Sequence, residues 1–105
     1  VSMDGRPLRE ARKVLVQVGT TARLTGWTEH DAVVDGEPVK TIVRTGTPPY
    51  QIKNTHASVT LANAHVSKAT LLDSAGMAVR NVPVEAREGT LHVRLPKNTT
   101  YLVLQ

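Results

Sequence analysis

From Lys13 onward the chain runs in short stretches rich in Val, Leu, Ile and Thr. Each stretch ends on turn-forming residues: Asp35-Gly36, Gly46 to Pro49, Ala75-Gly76, Glu88-Gly89 and Lys97-Asn98. Regular punctuation of this kind predicts about eight or nine short strands, and strands so spaced fold as an antiparallel β-sandwich. The only stretch with room for a helical turn is "PLREARKVLV", which is too short to set an architecture.

Alternation along the strands assigns their faces, because successive side chains point to opposite sides. Val14, Val16 and Val18 share one face, and Val39, Thr41 and Val43 share another. Val59 with Leu61, and Leu91 with Val93 and Leu95, are expected to point inward, while "KATLLDSAGMAV" reads as strand, turn and returning strand. At 105 residues, with 40% hydrophobic and 21% charged residues, the expectation is a single folded unit over 1–105. No apolar run approaches the length that crosses a bilayer, so no membrane contact is expected.

The core must be aliphatic, since the chain has no Phe, one Trp and two Tyr. Any ring that faces outward is therefore conspicuous. In "ARLTGW", parity groups Arg23, Thr25 and Trp27 on a polar face and Ala22 and Leu24 on the other, but a bulge at Gly26 would reverse the assignment. Two readings of Trp27 thus stand, a core residue between sheets and a platform for a ligand. Tyr50 shares parity with Ile52 but follows Pro48-Pro49, so it too reads both ways. Tyr101, opposed to Leu102 and Leu104, reads as a rim residue. Two exposed rings suit the flat apolar face of a β-linked hexose, with Thr25, Gln51 and Arg23 offering hydrogen bonds to its hydroxyls.

Several chemistries find no support. There is no Cys, and His30, His56, His65 and His92 show no paired metal-ligand spacing. Glu29, Asp31, Asp35 and Glu37 offer oxygens for a structural calcium but lack the order of a known loop, so no cofactor is expected. No phosphate loop or nucleophile elbow appears, and the chain is read as non-catalytic. The formal charge of +4 permits nucleic-acid contact, but the cations are dispersed from Arg6 to Lys97 and read as solvated faces, so no nucleic-acid partner is expected. The opening "VSMDGRPL" reads as a piece of a longer or processed protein.

"MDGRPLREARKVLVQVGTTARLTGW", with Asp4-Gly5, Pro7-Leu8, Arg12-Lys13-Val14-Leu15 and Thr25-Gly26-Trp27, resembles the non-catalytic β-sandwich domains appended to bacterial glycoside hydrolases. "TGTPPYQI" and "ATLLDSAGMAV" ahead of "VPVE" extend the likeness over most of the chain. More narrowly it is similar to the modules of carbohydrate-binding module family 81 attached to endoglucanases. That resemblance implies binding of β-1,4-glucan chains (cello-oligosaccharides, β-glucan, xyloglucan) through Trp27 and Tyr50, a linked glycoside hydrolase catalytic domain as partner, secretion, and a monomer. Thr25 stands where those domains carry an asparagine. The competing expectation is a structural accessory domain that packs on the catalytic domain and binds no sugar.

Overall fold

The structure is a computed structural model that describes all 105 residues. It is all-β and antiparallel, as the punctuation predicts, with eleven strands rather than eight or nine. They are β1 (Val14–Gln17), β2 (Ala22–Thr25), β3 (Thr28–Val34), β4 (Glu37–Arg44), β5 (Thr47–Ile52), β6 (Ser58–Ala62), β7 (Ala69–Leu72), β8 (Ala78–Val82), β9 (Glu85–Arg87), β10 (Thr90–Arg94) and β11 (Tyr101–Leu104). The larger count comes mainly from residues 22–52, where the ladder breaks at Gly26 and Gly46 and divides two long strands into four.

The chain forms two compact units, one of residues 1–19 with 54–105 and one of residues 20–53. The first has a four-stranded sheet in the order β1-β11-β7-β8 and a three-stranded sheet in the order β6-β10-β9. Their shared core explains the pairing. Val14, Ala69, Val82, Leu102 and Leu104 from one sheet meet Leu91 and Val93 from the other, with Val59 and Leu61 packed against them. These are the inward-facing sets that alternation selects, and Leu102 and Leu104 are wholly removed from water. Tyr101 is half-buried, paired with Gln17 on one side and Leu72 on the other.

Turn chemistry closes the hairpins where the sequence places it. Asp35-Gly36 and Glu88-Gly89 have positive φ at both central residues, the geometry whose twist matches two antiparallel strands joined by two residues. Between β7 and β8 the Asp73 carboxylate accepts from the N–H groups of Ala75 and Met77, both at 2.9 Å, which pins the turn around Gly76.

"PLREA" does form one helical turn, with the N–H groups of Glu10 and Ala11 donating to the Pro7 carbonyl. Two side chains hold it. The Asp4 carboxylate accepts from the Arg12 N–H at 2.8 Å and from the Ser2 hydroxyl, and the Arg12 bond above all keeps its pKa below the ordinary carboxylate range. Asn63, 3% exposed, donates from Nδ2 to the carbonyls of Leu8 at 2.6 Å and Ala11 at 2.7 Å, while its Oδ1 accepts the His65 N–H at 2.7 Å. One buried amide thus satisfies two carbonyls that the short turn leaves open.

Candidate functional site: the ribbon of residues 20–53

The second unit is a two-stranded ribbon. β2 pairs with β5 and β3 with β4, the tip is Asp35-Gly36, and the open end is tied by the Thr20 hydroxyl to the Lys53 carbonyl at 2.7 Å and by the Lys53 N–H to the Thr21 carbonyl. None of its residues is buried. Each strand pairs on one side only, so both outer edges carry unused backbone donors and acceptors.

Midway along, "LTGW" departs from the strand that parity assumed. β2 ends at Thr25, the register shifts between Leu24 and Thr25, and Gly26 at φ 82° turns the chain so that the Trp27 N–H donates to the Leu24 carbonyl at 3.0 Å. Glycine fits there because this turn needs positive φ at its third residue. The opposing strand crosses at Gly46, also at positive φ, where an added Cβ would sit 2.4 Å from the Thr25 carbonyl oxygen and 2.9 Å from the Trp27 nitrogen. The two legs of the ribbon touch backbone to backbone at this point.

At that crossing Trp27 lies between full burial and open surface. The indole is half-buried, outside any strand, and neither enclosed in the sandwich core nor bare. Arg23 lays its guanidinium over the ring, 5.0 Å from the centroid, and Nε1–H donates to Glu29 at 3.0 Å. One ring face and the only polar group of the indole are engaged inside the ribbon.

The other expected site residues divide. Arg23 and Gln51 are cross-strand partners and share a face, whereas Tyr50 pairs with Leu24 and stands on the opposite face with Ile52. Tyr50 is 69% exposed. The Thr25 hydroxyl donates to the Pro49 carbonyl at 2.7 Å, which commits it to closing the ribbon. Pro48 and Pro49 lie within β5 rather than before it, joined by a cis peptide bond. They are tolerated there because β5 is an edge on one side.

Further along, β3 and β4 expose what a sandwich strand would bury. Val33 and Ile42 share one face of the ribbon, and Val34 and Val39 share the other. Val33 is 72% exposed and Ile42 52%. Val43, expected on one side with Val39 and Thr41, is an extra, unpaired residue at the register shift opposite Thr28 and Glu29, where alternation no longer assigns its side.

Among these apolar groups lie four carboxylates, Glu29, Asp31, Asp35 and Glu37, against two cations, Lys40 and Arg44. The four acids are not gathered into a ligand set: Glu29 holds the indole, and Asp31 pairs with Lys40 at 2.5 Å, which raises the Lys40 pKa. Val33, Val34 and Ile42 carry no mark of exposure in the sequence, because apolar residues on both faces of a strand read equally as a strand buried on both sides. No family model, curated protein or solved structure matches the chain.

Proposed function

We propose that the chain is a non-catalytic accessory domain whose ribbon docks on a neighbouring protein surface, with the glycoside hydrolase catalytic domain implied by the resemblance as that neighbour. The observation that carries this reading is the state of residues 20–53, which bury no side chain although Val33, Val34, Val39, Ile42, Val43, Tyr50 and Ile52 are all at the surface. Two strands alone are marginal in water, and apolar groups on both faces gain nothing until a partner covers them. Covering Val33 and Ile42, 72% and 52% exposed, removes enough apolar surface to favour docking by about 2 to 4 kcal/mol before ordering costs. The clamp of Arg23, Trp27 and Glu29 supports the same reading, because it stiffens the ribbon at its crossing and lowers the entropy lost on docking.

The test is association in solution of the chain with that catalytic domain, followed by light scattering and hydrogen exchange. Changing Val33 and Ile42 together to Asp should weaken association at least tenfold and leave the sandwich signals in place. Equal affinity for the double variant rejects the ribbon as the docking element.

A second reading, β-1,4-glucan binding by a secreted monomer, is favoured by one observation, the 69% exposure of the Tyr50 ring. A single open ring with Gln51 nearby in sequence supports a weak site, with a dissociation constant in the millimolar range, or about 4 kcal/mol. Calorimetric titration with cellohexaose should then give a measurable heat that Tyr50→Ala abolishes. No heat with the unaltered chain removes this reading and leaves the first untouched.

A further inference from the structure

We infer that the outer surface of the three-stranded sheet carries a binding site for an oxyanion, a carboxylate or sulfate group, formed by His56, Ser58 and Arg94. The inference concerns the sandwich and does not depend on the ribbon. Arg94 and Ser58 are cross-strand partners on β10 and β6, so their side chains rise from the same face. That face is the one opposite Leu91 and Val93, and it faces water. Next to the pair, His56, Ala57, Ser58, Arg94 and Leu95 line an open cavity of about 360 Å³, within the range of roughly 300 to 1,000 Å³ usual for small-molecule sites.

What the cavity offers is one-sided. The lining residues with polar side chains, Arg94, Ser58 and His56, carry a guanidinium fork, a hydroxyl and an imidazole N–H, and none of the five lining residues is acidic. The molecule's two ion pairs are Arg9 with Glu10 and Lys40 with Asp31, so no carboxylate neutralises Arg94. Glu85 pairs with His92 at the first residue of β9, on the same face and diagonal to Arg94, but it makes no ion pair with Arg94, and the sheet supplies no residue directly across from Arg94 on that side. The Leu95 N–H is already spent on the Ala57 carbonyl at 2.9 Å and is not among the donors. A planar guanidinium beside a hydroxyl matches two oxygens of one anionic group, the arrangement in which arginine binds best. Neutral hydroxyls offer no such match, which distinguishes this site from the glucan reading of Tyr50.

The experiment is an NMR titration at constant ionic strength, with sodium glucuronate, potassium sulfate and glucose as separate probes. Glucuronate or sulfate should shift the Arg94 Nε–H and the amides of Ala57 and Ser58 in a saturable way at millimolar concentration, and glucose should not. Arg94→Gln should weaken the effect at least fivefold while the remaining spectrum is unchanged. Saturation by only one of the two anions supports the site and identifies its chemistry as carboxylate or sulfate. Shifts that never saturate, that centre on Arg6 to Lys13, or that persist undiminished in Arg94→Gln overturn the proposal.

Discussion

Asn63→Ala is expected to cost about 3 kcal/mol of folding stability, more than removal of an ordinary hydrogen-bonding side chain. The amide serves three backbone groups, the carbonyls of Leu8 and Ala11 and the N–H of His65, and the bond to Ala11 is fully buried. Removing it deletes three bonds worth about 1 kcal/mol each. It also leaves the Ala11 carbonyl desolvated and unpaired, at about 1 to 3 kcal/mol if no water enters, while the Leu8 carbonyl and the His65 N–H belong to exposed residues and can turn to solvent. Water in the vacated space recovers part of that, hence the middle value. Urea unfolding is the measurement, with a lower midpoint at unchanged slope as the expected result. A loss under about 1 kcal/mol would mean that solvent reaches the Ala11 carbonyl freely, against the burial of that bond.

Gly46→Ala should open the ribbon while the sandwich stays folded. A methyl group there meets three backbone atoms, at 2.4, 2.9 and 3.1 Å, and none can swing aside as a side chain could. The residue also sits at φ 76°, where any side chain is strained. Together these amount to about 3 kcal/mol, more than an isolated pair of strands has to lose. The ribbon therefore separates at the crossing, and Trp27 loses both the Arg23 cover and the Glu29 bond. Because Trp27 is the only tryptophan, its emission reports this directly: a red shift with easier quenching by acrylamide is expected, with the unfolding midpoint of the sandwich unmoved. An unchanged emission would show that the crossing relaxes without separating.

The turns were legible in the sequence because glycine beside a small polar residue encodes local geometry that needs no distant partner. Asp35-Gly36 and Glu88-Gly89 fall where they were expected, and so do the inward sets of β6 and β10. Asn63 was not legible. It closes the run "ASVTLAN", and the carbonyls it serves lie more than fifty residues away, so nothing local marks it as buried. Trp27 defeated parity for a different reason: Gly26 ends the strand one residue before it, and alternation holds only while the strand continues.

The exposure of the apolar groups in residues 20–53 was not legible either. In "DAVVDGEPVKTIV" the adjacent Val33 and Val34 break strict alternation and put apolar groups on both faces of the ribbon, a pattern that a strand buried on both faces also shows, so periodicity alone does not mark Val33 and Ile42 as surface residues.

Hydrogen exchange of residues 28–44, measured on the chain alone and again with the catalytic domain bound, decides whether the ribbon is the docking element. Rapid exchange is expected at the outer edges of β3 and β4 in the free chain, slowed at least tenfold on binding, while β10 and β11 are protected throughout. Identical exchange of 28–44 in both states, with binding established independently, would rule the ribbon out.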